Sequence, residues 1–401
     1  MLLRKSASEV PTIASADIEK SAHEAFRQYR SSHPFAALED GGHIVLRYGD
    51  VSRLSGNARL QATETAVPTQ GGITGGTLFD IFQHGMLTAN GGVHERRRSA
   101  MSRTVAGLAV TQFRSHVRRA AETLIEEHFK TGILELRDDY AGKLPLLALA
   151  GMLGIPESEM PAFTQDVLEM NEFFRPHATG SAIARAGWAA DRLRNYLRVL
   201  LARKQAGQGD DFLSLYLAQV DADGDLSEVE CLMQIVQFII GGTESLQTAI
   251  VAQTANLLAH PEQWNAVRDD PALVSAAVSE SLRFEPGIAG LVRASAKEIS
   301  IDGRTLPPGQ LVILSLMSAL RDEDVFERAD SFDIFRPGLS RSQLAFGGGA
   351  HRCVADALGR AELEEGLIAI TERIPNLRPT LAPVFQGHLF VRRTTRCWVT
   401  W

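Results

Sequence analysis

One stretch of this chain limits its fold more than any other. Ser227 followed three residues later by Glu230 is a capping box, the pattern that satisfies the first free N–H groups of a helix. An apolar run continues from there to about Leu258, where His260-Pro261 stops it. A helix over 227–258, rising ~1.5 Å per residue, is long enough to cross a whole domain. Gly241 and Gly242 lie near its middle. Each glycine in a helix interior costs roughly 1 kcal/mol relative to alanine, so the pair calls for a packing or functional reason. Two missing side chains open a groove wide enough for a flat cofactor or a ligand, with Glu244 and Ser245 beside it. A close helix crossing explains the same glycines, and this segment taken alone favours that explanation.

The rest of the chain reads mainly as helix. Thr111–Phe129 and Ala184–Lys204 are amphipathic. Leu144–Leu153 is apolar throughout, opened by Pro145 and closed by Gly154-Ile155-Pro156. Strand signals are short: His43–Tyr48, Glu298–Ile301 before Asp302-Gly303, Gln310–Leu316 after Pro307-Pro308-Gly309, and a hairpin-like Leu389–Trp401. The expected fold is mainly α with minor β sheets, as one unit over residues 1–401 with a lead-in of about 1–36. A net charge of −7 argues against a nucleic-acid partner. No run approaches the ~18 apolar residues of a membrane span. No apolar segment follows Met-Leu-Leu-Arg-Lys-Ser, so neither a signal peptide nor a membrane anchor is expected. Cys231, Cys353 and Cys397 form no CxxC pair and no zinc pattern, which suits a reducing cytoplasm.

The segment 344–363 reads LAFGGGAHRCVADALGRAEL. Gly347, Gly348 and Gly349 let the backbone bend and press against a flat partner. Cys353 follows at the start of a helical pattern, where free N–H groups and the helix dipole would favour a thiolate. A thiolate there can ligate a metal. It can equally be an inert buried cysteine, or a nucleophile activated by His351.

Taken whole, this segment resembles the cysteine loop of the cytochromes P-450, with Phe346, Gly347, Gly349, His351 and Cys353 at the family's spacing and Leu358 and Arg360 continuing it. Ala355 replaces the usual glycine. Three further elements resemble the same family in the same order: His94-Glu-Arg-Arg-Arg98, Gly241-Gly242-Thr243-Glu244-Ser245 and Glu280-Ser-Leu-Arg283. The meander after the last includes Phe332, Asp333 and Arg336, with Ala329 in place of the usual proline. A preceding motif reads Ala319-Leu320-Arg321-Asp322-Glu323. The resemblance implies the P-450 fold, a single triangular domain, with haem b between the Gly-Gly helix and the helix that begins at Cys353. It implies that Cys353 ligates the iron and pushes electron density toward O–O cleavage. His94, Arg98, Arg293 and His351 would bind the haem propionates. Glu244 and Ser245, the latter in place of threonine, would relay protons to bound O2. Glu280 and Arg283 would lock to the meander and Arg336.

The reaction implied is insertion of one oxygen atom into a hydrophobic small molecule. By the same resemblance the pocket draws on Thr77–Leu87, Met170–Phe174, Val236–Gly241, Ile288–Leu291 and the turn at His388-Leu389. Phe79, Phe82, Phe173, Phe174, Val236, Ile240, Gly241, Ile288, Ala289, Leu291 and Leu389 make it apolar. Gln83, His84, Asn171 or His388 would anchor a polar group. No segment resembles a flavin or iron–sulfur domain, so electrons from NAD(P)H would arrive through a ferredoxin reductase and a separate iron–sulfur ferredoxin. Arg96, Arg97, Arg103 and Arg352 would form a basic docking patch, or else an ordinary solvated arginine face. Other readings are a peroxide-driven oxygenase, a reductase of small nitrogen oxides and a haem-thiolate gas sensor.

Overall fold

The computed structural model describes residues 10–175, 178–205, 209 and 211–401. In chain order the first helices are α1 (Ser15–Arg30), α2 (Tyr48–Ser55), α3 (Ala66–Gln70), α4 (Thr77–His84) and α5 (Gly91–Ala106). Then come α6 (Val110–Phe129), α7 (Leu144–Leu153), α8 (Met160–Asn171), α9 (Gly180–Gln205), α10 (Phe212–Asp223) and α11 (Glu228–Gly241). The last are α12 (Glu244–Leu258), α13 (Pro261–Asp269), α14 (Val274–Phe284), α15 (Leu316–Ala319) and α16 (Asp356–Arg373). They fall into two compact units. The first holds residues 1–61, 279–352 and 385–393; the second holds 62–278, 353–384 and 394–401.

The first unit is built on a six-stranded sheet. Its order is Thr12–Ile13, Phe35–Leu38, His43–Val45, Leu311–Ser315, Gly290–Ser295, Leu60–Gln61. Side chains alternate across a strand, and here both faces are buried. Val45, Val312 and Leu314 enter one cluster with Phe35, Leu316 and Phe326, while Ile44, Leu46 and Ile313 enter another with Phe26 and Met317. The segment 43–48, expected to alternate, thus buries successive side chains on both faces. The lead-in is structural: α1 places Ile18, Ala22, Ala25 and Phe26 in the second cluster. Asp302 (φ 50°) and Gly303 (φ 73°) are both left-handed. They form the tight turn that joins Ile299–Ile301 to Arg304–Leu306.

The second unit is largely helical. α6 packs on α16 and α7, and α8 on α9. Pro145 opens α7, and Gly154 closes it at φ 67°. The start of the C-terminal segment does pair as a short hairpin, Arg393–Thr394 with Phe385–Gln386, whereas its end joins a different sheet. Trp398–Thr400 is the middle strand between Arg378–Leu381 and Ile133–Glu135.

The expected helix over 227–258 is two helices. The capping box at Ser227 and Glu230 forms. However, α11 ends at Gly241, and the backbone leaves helical geometry at Gly242 (φ −89°, ψ 6°) and Thr243 (φ −115°, ψ −77°) before α12 begins. Together they are apolar and long enough to cross a membrane, contrary to the sequence expectation; 61% of the most apolar window is buried inside the protein. This is the pattern of a core helix.

Glu362, on α16, is 2% exposed. Its Oε1 has no hydrogen-bond partner among the described residues, and burial pushes its carboxyl up to about 8. The folded state therefore holds a proton that the unfolded chain has released above the ordinary value of 4.5. The stability Glu362 contributes is complete below 4.5, falls as pH rises, and is lost above about 8. The loss is on the order of a few kcal/mol. Glu362→Gln should flatten this slope, so that the variant melts a few degrees above the parent at pH 8–9 and close to it at pH 5. Thermal unfolding at several pH values checks this.

Candidate active site

The glycine loop belongs to the first unit. Gly347 (φ 72°) and Gly349 (φ 65°) are left-handed, which only glycine adopts without strain. Gly348 is extended (φ −153°) and is glycine for a different reason. A Cβ there would stand 2.4 Å from Ser55 Oγ, and one on Gly349 would stand 2.5 Å from Gly56 Cα. The loop thus presses on the end of α2. Phe346 closes the 3₁₀ turn before the glycines, and His351 closes the one that starts at Gly349; both are half-buried.

Cys353 follows, in the second unit. It is exposed, whereas Cys231 and Cys397 are buried. Burial pushes those two thiols up to about 11 and about 12, so both are held protonated. α16 begins three residues after Cys353, not at it. Ala355 caps the helix at φ −111°, where glycine's freedom is not needed. On α5, His94 is buried and Arg98 half-buried. Burial lowers the Arg98 pKa, while a charge on the Cys353 sulfur raises it, so the guanidinium lies within electrostatic reach of the thiolate.

The two glycines of the helix break do different work. A Cβ on Gly242 would meet Leu149 of α7 at 3.2 Å, a close helix crossing. A Cβ on Gly241 would meet nothing within 4 Å, an open groove. Glu244 and Ser245 are half-buried beside it. Ser245 Oγ donates to the Gly241 carbonyl at 3.1 Å. Thr243 Oγ1 donates to the Ile240 carbonyl at 3.1 Å and accepts from Asn171 Nδ2 at 3.0 Å.

In the first unit, Arg293 is 9% exposed. Its one hydrogen bond goes to the Val292 carbonyl at 2.8 Å, and no carboxylate pairs with it among the described residues. Burial lowers its pKa. Such a guanidinium calls for an anion. Glu280 and Arg283 are fully buried and joined by two hydrogen bonds, and Arg336 and the Asp333 amide meet the same carboxylate.

Comparison with known proteins matches these features to one family. The family model for cytochrome P450 matches residues 189–373. Cytochrome P450-pinF1, plant-inducible, from Rhizobium radiobacter is 35% identical over 379 residues, 94% of this chain and 90% of that one. The chain belongs to the cytochrome P450 family. Nocardicin C N-oxygenase from Nocardia uniformis subsp. tsuyamanensis is 31% identical, covering 79% of each chain. The solved structure of CxnD, a cytochrome P450 for C–S bond formation in chuangxinmycin biosynthesis, superposes with a TM-score of 0.85 at 26% identity, over 97% of each chain. The protein is therefore a P450 monooxygenase, an oxidoreductase, and its cofactor is haem b.

The residues present fit that cofactor. Within the second unit, an exposed sulfur, a half-buried arginine within its electrostatic reach and a glycine facing open space suit a ligated ring that carries propionates.

Two expectations about neighbouring residues change. The arginines of α5 are not a free basic patch. Arg96 bonds both oxygens of Glu230 and the Asp225 carbonyl. Arg97 is buried on Glu230 and the carbonyls of Gln83 and Gly85. Arg103 binds Asp223, Gln219 and Ser99. Their charge is spent fastening α5 to α10 and α11. Among the apolar pocket candidates, Val236 (1%) and Ala289 (0%) have almost no accessible surface. Ala289 belongs to the core cluster around Ile44 and Met317. Neither offers surface that a substrate could touch. Phe79, Phe82, Phe173, Phe174, Ile240, Ile288, Leu291 and Leu389 are half-buried, and Gly241 is exposed. Phe82, Phe173 and Phe174 form one aromatic cluster, with centroids 5.1–6.0 Å apart.

The segment 77–87, read as a loop, is mostly the helix α4, and two glutamines of α11 hold it. Gln237 donates to the Ile81 carbonyl at 2.7 Å and accepts from the Leu87 amide at 2.7 Å, while Gln234 donates to the His84 carbonyl. Sequence reasoning passed over both. The signal was there: two amides three residues apart in an apolar helix must find buried partners.

Proposed function

We propose that this P450 is a cytoplasmic, single-domain monooxygenase that oxidises a hydrophobic small molecule, with electrons from NAD(P)H delivered by a ferredoxin reductase and a separate ferredoxin. The observation that carries the reading is the exposure of Cys353 beside Arg98, with both other cysteines buried as thiols. Cys353 would ligate the haem iron, and His94, Arg98, Arg293 and His351 would hold its propionates. Bound there, the haem supplies dioxygen activation. The chain's own residues do the rest. The Phe82, Phe173 and Phe174 cluster favours an apolar substrate and excludes water. Glu244 is an ionisable proton carrier, and Ser245 a hydroxyl that hands the proton on.

A test is turnover under ¹⁸O2 with NADPH, ferredoxin and ferredoxin reductase, on substrates first selected by their shift of the haem absorption band. The expected product carries one labelled oxygen atom. Equal rates with peroxide alone would overturn the ferredoxin-driven reading.

The Ser245 hydroxyl is held by the Gly241 carbonyl, although serine lacks the methyl that stiffens threonine. Ser245→Ala should raise peroxide release per NADPH several-fold and lower product yield, with haem binding intact. Ser245→Thr should keep the parent ratio. Peroxide and NADPH assayed together check this, and an unchanged ratio in Ser245→Ala would remove Ser245 from the relay.

A further inference from the structure

Asn171 is the last residue of α8 and is 4% exposed. Its amide Nδ2 donates to Thr243 Oγ1 at 3.0 Å, and its Oδ1 is buried without a partner among the described residues. The chemistry of Thr243 fixes this orientation. A hydroxyl has one proton, and that of Thr243 goes to the Ile240 carbonyl at 3.1 Å. The group facing its free lone pair must therefore be a donor, so the NH2 of Asn171 points at Thr243 and the oxygen points away. Leaving a buried amide oxygen unpaired is unfavourable, so the other end of the side chain must hold something that matters.

It holds the helix break. In an unbroken helix the Ile240 carbonyl would accept the N–H four residues on; here it accepts the Thr243 hydroxyl at 3.1 Å and, more weakly, the Thr243 N–H at 3.4 Å. Thr243 lies at φ −115°, ψ −77°, and the hydroxyl four residues beyond Gly241, that of Ser245, takes the Gly241 carbonyl. Two side-chain hydroxyls thus replace helix bonds, and Asn171 is the one group from another helix that the structure bonds to either of them, among the described residues. Phe173 and Phe174 lie in the 3₁₀ turn Glu172–Phe174 that follows Asn171, and they pack on Phe82, one edge-on and one tilted. The same end of α8 therefore carries both the aromatic cluster and the tie to the break.

We propose that Asn171 is a positioning residue: by bonding Thr243 it holds the break between α11 and α12 in the geometry that sets Glu244 and Ser245 beside the Gly241 groove. This rests on the reading of Glu244 and Ser245 as the proton relay. The test is hydrogen exchange by mass spectrometry on the haem-loaded protein, following peptides that cover 238–248, with peroxide release per NADPH measured alongside. Asn171→Leu should raise exchange in those peptides roughly tenfold, leave the carbon monoxide spectrum unchanged, and raise peroxide release. Thr243→Val should do the same even if the Asn171 variant fails to fold, and Thr243→Ser should behave as the parent. The double variant should exchange no faster than either single one. Parent-like exchange in both Asn171→Leu and Thr243→Val, or strictly additive effects in the double variant, would overturn the proposal. Faster exchange without added peroxide would uphold the tie and overturn the relay instead.

Discussion

Replacing Cys353 with serine should abolish the red-shifted absorption that reduced, carbon-monoxide-treated protein shows when a thiolate ligates its haem, while Cys231→Ser and Cys397→Ser keep that band. The contrast follows from where the three sulfurs lie. Cys231 and Cys397 are buried, and burial raises their thiols to about 11 and about 12. Neither ionises at neutral pH, and only a thiolate is a strong ligand. Cys353 is exposed, comes four residues after the bent Gly347–Gly349 loop, and lies within electrostatic reach of the Arg98 guanidinium. Serine offers an alcohol that does not ionise there and pushes little electron density to iron. Monooxygenase turnover should be lost along with the band. The absorption difference spectrum of the three variants decides the matter, and loss of the band in Cys231→Ser or Cys397→Ser with retention in Cys353→Ser would reverse the ligand assignment.

What the sequence made legible was local. The capping box at Ser227, the helix stop at Gly154 and the turn at Asp302-Gly303 are short-range devices, and each forms as read. The glycine loop before Cys353 was equally plain, although its partner on the polypeptide side is the backbone of Ser55-Gly56, nearly 300 residues away in the sequence. What was not legible depended on such distant partners. The cost of Gly241-Gly242 was visible, and two explanations for it were open; the structure uses both, one for each glycine. The break itself needed Asn171, 72 residues upstream. The Arg96, Arg97 and Arg103 run looked like free positive charge because a sequence shows a charge without its counter-charge. Glu230 was already assigned to the capping box, yet it also takes Arg96 and Arg97. Glu362 gave no sign at all, since a glutamate in a helix pattern is ordinarily solvated.

The largest loss of stability should come from Glu280→Gln. Glu280 and Arg283 are both 0% exposed, and Arg336 is 3% exposed in its side chain. One carboxylate accepts from Arg283 Nε at 2.7 Å and Nη2 at 2.8 Å, from Arg336 Nε at 3.3 Å, and from the Asp333 amide at 2.8 Å. The remaining guanidinium protons go to carbonyls of Leu320, Ala329 and Ser331, so the cluster ties α14 to the segment 320–336. The sequence pointed to this link only through a family resemblance; an i,i+3 pair alone is worth little when solvated. Buried, the balance differs. Two arginines already face one carboxylate, and glutamine removes its charge while turning an NH2 toward a guanidinium. Breaking a buried pair in this way costs about 3–5 kcal/mol, because an uncompensated charge stays inside. Arg336→Leu should cost less, since Glu280 keeps Arg283 and one buried cation is removed. Adding Arg283→Met to Glu280→Gln should recover part of the loss, because an apolar side chain of similar length needs no counter-charge. Urea unfolding of the single and double variants, followed by far-ultraviolet circular dichroism, measures each. If Glu280→Gln unfolds at the parent's urea midpoint, or if Arg336→Leu is the more damaging of the two, the cluster does not hold this unit together by charge compensation.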